Sequence, residues 1–168
     1  IGNEASIGNG ASIGNEARIG YGARIGYGAR IGDGASIGYG ASIGNEASIG
    51  YGASIGYEAR IGYGARIGDE ASIGNGASIG NEARIGYRAR IGNEASIGDN
   101  EKPKTVFIVG SKHTVNYWGE DKIQIGCQTH SISEWESNFN EIGAKEGYSE
   151  AEISEYGKYI QMIKIMHS

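Results

Sequence analysis

Residues 19–42 read "IGYGARIGYGARIGDGASIGYGAS", one six-residue unit written out four times. Extended in both directions, the unit runs through sixteen complete hexads, Ile1 to Ser96, and a partial one, Ile97 to Asn100. In the complete hexads position 1 is always Ile, position 2 Gly and position 5 Ala; position 3 is Asn, Tyr or Asp, and position 6 is Ser or Arg. Position 4 is Gly or Glu, apart from Arg88 and Asn100. An α-helix does not explain this pattern: a period of six matches neither 3.5 nor 3.6, and the glycine load costs ~1 kcal/mol per residue. A flat strand would carry Ile and Ala on one face with nothing to cover them. Dense glycine without a three-residue period is not collagen, and a flexible linker has no use for a regularly placed Ile. A parallel β-helix remains. Short strands alternate with tight turns, Ile points into a shared core, Ala fills a cramped corner, and Gly sits where the backbone is crowded or φ is positive.

"IGNGAS", "IGYGAR" and "IGDGAS" resemble the bacterial hexapeptide repeat: an aliphatic residue, Gly, two variable positions, a small residue and one more. The resemblance covers residues 1–100. It implies a left-handed parallel β-helix of triangular section with three hexads per coil, and the handedness comes from the family alone. Sixteen hexads then make a little over five coils, a prism about 25 Å long at ~4.8 Å per coil. Each buried Ile stabilises it by ~1.5–3 kcal/mol. Where the family places Asn or Gly at position 4, seven hexads here carry Glu, for example Glu4 and Glu46. If these adopt positive φ, each carries strain.

An 18-residue coil stacks Tyr21, Tyr39 and Tyr57 in one column, flanked by Asn3, Asn75 and Asn93. Arg24 and Arg60 alternate with serines on the same side. Tyr and Arg are favoured at interfaces, and the family resemblance implies homotrimers packed along the prism sides. These five residues are therefore the candidate interface, set against a plain solvated ladder that helps coils cohere. Ice or carbohydrate binding along the face is a third reading, weakened by Arg interrupting the Ser ranks.

Pro103, the only proline, marks the end of the repeat. Three strand-like runs follow at 105–109, 114–118 and 122–126, with a hairpin turn at 119–121. Ser131 with Glu134 and Ser149 with Glu152 read as capping boxes that open two helices. Trp135, Phe139 and Ile142 share one stripe; Ile153, Tyr156, Ile160 and Ile163 share another. The expected organisation is a repeat domain over 1–100, a strand-rich cap over 101–130 and a helical hairpin over 131–168, packed on the solenoid, a neighbour's tail, or both. The stretch "YWGEDKIQIGCQTHSISEW" resembles a C-terminal extension of some bacterial and phage hexapeptide proteins and carries over no activity.

Charge and cysteine bound the function. Residues 1–100 hold 8 Arg against 10 acidic residues, and residues 101–168 hold 7 Lys against 10. Neither segment is basic, which argues against nucleic acid. Cys127 is the only cysteine and forms no internal disulfide. No apolar run is long enough for a membrane span and no signal peptide is visible. The chain begins in register at Ile1 without Met, which reads as a processed, truncated or engineered start. The compartment is read as cytoplasmic or as an assembly at a particle or cell surface.

Family enzymes that acylate sugars use a coil-borne His as general base and bind the acyl donor between subunits. Residues 1–100 contain no His, no Cys and no loop insertion. The repeats offer no ligand set for the zinc of the carbonic-anhydrase-like members either. All three histidines, His113, His130 and His167, lie in the tail. Cys127 is expected to be a small buried residue, His130 a polar turn residue and His167 part of a frayed end. The leading expectation is a non-catalytic structural solenoid, a rigid spacer or self-association module without cofactor or metal, and a homo-oligomer. The alternative is an acyltransferase acting on a sugar or amine, with His113 or His130 as base and an acyl-CoA or acyl-carrier donor.

Overall fold

A computed structural model describes residues 1–167. It falls into two compact units, residues 1–103 and residues from 104 onward. In the first, a two-residue strand forms at every junction between hexads, from Ser6–Ile7 (β1) to Ser96–Ile97 (β16). Strands three apart in sequence pair in parallel, with partners eighteen residues apart such as Arg24 with Ser42 and Ile25 with Ile43. The result is three parallel sheets, one of six strands and two of five. Three hexads therefore make one coil, as expected from the repeat.

The backbone of each hexad is bonded in both directions along the prism. The Gly38 N–H donates to Ile55 O at 2.8 Å and the Ser42 N–H to Ala59 O at 2.9 Å, both in the following coil. The Gly40 N–H turns back to Tyr21 O in the preceding coil at 3.0 Å. From Ile19 onward every position-1 Ile and, from Ala23, every position-5 Ala of the repeats is buried. Position 2 must be Gly because the coils touch there: a Cβ on Gly38 would lie 2.7 Å from the Gly56 carbonyl carbon. Position 4 is left-handed in every hexad, with φ 63° at Gly40 and 55° at Glu58. The glutamates thus adopt the strained geometry that the pattern raised.

Position 3 has a structural role that depends on the residue. Asn75 Oδ1 accepts from the Tyr57 N–H at 2.8 Å, and Asn93 Oδ1 from the Asn75 N–H at 2.9 Å. Asp33, Asn45, Asp69, Asn81 and Asp99 do the same for the coil before them. These side chains satisfy a corner amide that the sheet ladder misses. A tyrosine at position 3 cannot do so and projects outward instead.

The second unit has its own sheet. Strands Val106–Val109 (β17), Thr114–Tyr117 (β18), Ile123–Ile125 (β19) and Gln128–His130 (β20) pair antiparallel in sequence order. They do not extend the solenoid's sheets. The sequence reading missed β20. Helix α1 (Ile132–Lys145) opens on the Ser131–Glu134 capping box, and α2 (Glu150–His167) on reciprocal Ser149–Glu152 bonds. The expected stripes meet: Trp135, Tyr156, Ile160 and Ile163 are buried together with Val115, Tyr117, Ile123 and Ile125. The hairpin therefore finds its partner in the tail's own sheet.

Candidate functional site

The hairpin of β19 and β20 turns on Gly126 and Cys127, with Gly126 at φ 58°. It carries His130 to the end of β20, paired with Ile123, immediately before the Ser131 cap of α1. His130 is thus a strand residue rather than a turn residue. Its half-buried ring meets Trp135 edge-on, with centroids 5.0 Å apart at 88°. Trp135 is fixed in turn by its indole N–H, which donates to Ile123 O at 2.7 Å.

A carboxylate is held beside this imidazole. The Ser131 backbone N–H and hydroxyl both donate to Glu134 Oε2 at 2.9 Å. These bonds hold the Glu134 carboxyl below the usual carboxylate range, against the opposing effect of burial. His130 and Glu134 line an open hollow of about 320 Å³ with Asn138, Glu141, Ile142 and Lys145. The arrangement supplies a proton acceptor, a fixed anion beside it, an aromatic wall and a cation on one small surface.

His113 is placed differently. It lies in the turn between β17 and β18, and its main chain is clamped by Tyr156. The Tyr156 hydroxyl accepts from the His113 N–H at 2.5 Å and donates to His113 O at 2.6 Å. The exposed ring rests against Tyr148 at 5.8 Å and over Gly126. Tyr148 itself is pushed up to about 12, chiefly by burial. Lys112 sits 4.4 Å above the Tyr148 ring and donates to the carbonyls of Glu146 and Gly147 at the end of α1. This constellation locks the turn to the helix end, and no carboxylate faces the His113 ring among the interactions of the described residues. His113 and His130 do not share a hollow.

Two expectations are corrected. Cys127 is exposed, because it occupies the second place of a two-residue turn and its side chain has no core to enter. His167 is held within α2, its Nδ1 2.7 Å from the hydroxyl of buried Tyr117. The signal for this contact was Tyr117 itself, whose buried hydroxyl needs a partner. The described residues contain no cluster of three or more metal-ligating side chains. A hollow of about 850 Å³ in the tail is an apolar groove beside α2, lined by neither His113 nor His130.

On the solenoid, Tyr21 and Tyr39 stack at 5.4 Å and 10°, and Tyr57 stands next in the same column. The three are 40%, 51% and 61% exposed. A bond to Glu4 is the main cause that raises the Tyr21 hydroxyl above its ordinary value. Arg24 and Arg60 project from the adjoining sheet, each between serines. All five of the expected interface residues are exposed.

No family model matches the chain. No curated protein matches it either. Solved structures do. The UDP-N-acetylglucosamine acyltransferase of Francisella novicida is 27% identical over 59% of this chain, with a TM-score of 0.56. The chain spans 43% of that enzyme's length. The acetyltransferase domain of PglB from Neisseria gonorrhoeae is 21% identical over 60% of this chain and 52% of its own, with a TM-score of 0.48. GDP-perosamine N-acetyltransferase from Caulobacter crescentus is 22% identical over 58% and 45%, with a TM-score of 0.42. The repeat region thus has the hexapeptide-repeat left-handed β-helix fold of the Francisella enzyme. The likeness to the Francisella enzyme overturns the expectation of a non-catalytic spacer. No described helix is long and apolar enough to cross a membrane.

Proposed function

We propose that the chain is part of an acyltransferase that moves an acyl group from a thioester donor, an acyl-CoA or acyl-carrier protein, to a sugar hydroxyl or amine. The observation that carries the reading is the 27% likeness of the solenoid to a UDP-N-acetylglucosamine acyltransferase. The coils of this chain contain no His, and the candidate bases lie in the tail.

His130 is the better candidate for that base, because only it has a fixed carboxylate beside it and an open hollow in front. Neutral imidazole takes the proton from the acceptor O–H or N–H as that atom attacks the thioester carbonyl. Glu134 is the carboxylate on the same hollow, held by Ser131. Lys145, on the same hollow, is the cation available to the developing oxyanion. Collapse expels the donor thiolate, and the proton held by His130 goes to that sulfur. The products are the acylated acceptor and a free thiol.

Copies would associate along the side that bears Tyr21, Tyr39, Tyr57, Arg24 and Arg60, as a trimer. Replacing the three tyrosines by serine is expected to lower the mass in solution measured by light scattering. For the chemistry, His130→Gln is expected to lower transfer by at least a hundredfold, the usual worth of a general base, and to remove the acid limb of the pH–rate profile. His113→Gln is expected to leave transfer within a few-fold. Full activity in the double variant would remove the histidines from the mechanism.

A further inference from the structure

Position 6 of the hexads forms ranks along the three sheets, and in nearly every rank an arginine stands beside serines. Arg24 pairs in register with Ser6 and Ser42, Arg30 with Ser12 and Ser48, and Arg60 with Ser42 and Ser78. The exception among the described pairs is Arg66 with Arg84. Like charges directly opposite on neighbouring strands are destabilising. A third cation follows. The Arg84 N–H donates to Glu101 O at 2.8 Å, which continues the coil and gives Lys102 the same position eighteen residues on.

Among the described residues neither guanidinium is ion-paired. Arg88, on another side, bonds Glu70 at 2.6 Å; among the described residues no such ion pair joins Arg66 or Arg84 to a carboxylate. Beside them lies a polar hollow of about 230 Å³ lined by Arg66, Arg84, Tyr63, Gly64, Glu46 and Glu82. Gly64 stands between the two glutamates, where a Cβ would lie 3.4 Å from Glu82 Cγ. The Tyr63 hydroxyl donates to Glu46 Oε2 at 3.0 Å, which holds that carboxylate to the tyrosine side.

We infer that Arg66 and Arg84 form a binding site for a phosphoryl group, presented by a small phosphate ester whose hydroxyls donate to Glu82. Side chains on neighbouring strands start ~4.8 Å apart, and one phosphoryl group spans that gap with an oxygen to each guanidinium. The ligand relieves the repulsion between the arginines, and the acidic corner selects a ligand that carries donors as well as charge. This site needs no base and is independent of His130, so its failure leaves the transfer reading untouched.

The test is calorimetric titration with glucose 1-phosphate and with inorganic phosphate at fixed salt. The double variant R66S/R84S places serine where other hexads already carry it, so the coil keeps its backbone. Glucose 1-phosphate is expected to bind at least tenfold more weakly to it. R18S/R30S removes the same charge from arginines that stand beside serines and is expected to bind as the parent does. A tighter ester whose advantage is lost in Glu82→Gln supports the ester as ligand, and equal affinities support free phosphate at the same site. No binding to the parent chain, or equal weakening in both double variants, overturns the site.

Discussion

The glutamates at position 4 show how a residue can fit the repeat and strain it at once. Glu58 holds φ at 55°, where an L-residue costs ~1–2 kcal/mol. Glycine escapes that cost but loses more chain entropy, by ~0.5–1 kcal/mol. Glu58→Gly is therefore expected to raise the melting temperature slightly. Gly22→Ala meets no atom within 4 Å and suffers only from its φ of 65°, so it is expected to cost ~1 kcal/mol. Gly38→Ala pushes a Cβ to within 2.7 Å of the next coil's backbone and is expected to cost more, up to ~3 kcal/mol or loss of the fold. Thermal unfolding of the three variants checks the order; equal losses at Gly22 and Gly38 would contradict it. The two glycine roles were legible in the repeat. The bracket formed by Asn and Asp at position 3 was not, because it depends on an amide eighteen residues away.

Among the elements, the two helices carry a pH dependence with a definite sign. Hydrogen bonds donated by the backbone N–H and the hydroxyl of Ser131 and of Ser149 lower the Glu134 and Glu152 carboxyls relative to their ordinary values. A carboxyl with a lowered folded value stabilises fully above its unfolded value of ~4.3. That stabilisation is lost as pH falls through the folded value. The helical circular dichroism is expected to decline below about pH 4, and Ser131→Ala with Ser149→Ala to flatten that acid limb. An unchanged limb would detach it from the caps. Both capping boxes were visible in the sequence as Ser followed three residues later by Glu. Strand β20 was not, since "QTH" has no apolar alternation. The clue was the Gly126–Cys127 pair, a two-residue hairpin turn with Gly left-handed, and missing it also misplaced Cys127 and His130.

For the whole molecule, two units with separate cores should melt separately. Ile160, 1% exposed, lies in the tail core, so Ile160→Ala is expected to cost ~2–5 kcal/mol. Calorimetry should show it moving only the transition that carries the helical signal; movement of both would mean one cooperative core. The solenoid was legible because one Ile in six residues has no other way to be buried. The site was less legible. The neighbours His130, Glu134 and Trp135 meet only once a strand end and a helix cap are joined, and the absence of His from the coils pointed toward a spacer. The transfer reading meets its most direct test in one measurement: release of free thiol from acetyl-CoA or an acyl-carrier donor, with UDP-N-acetylglucosamine and other amino-sugar nucleotides as acceptors. The account predicts release that requires an acceptor, yields an acylated product by mass spectrometry and falls at least a hundredfold in His130→Gln. Release at the uncatalysed rate with every donor and acceptor, or activity indifferent to His130, would contradict it.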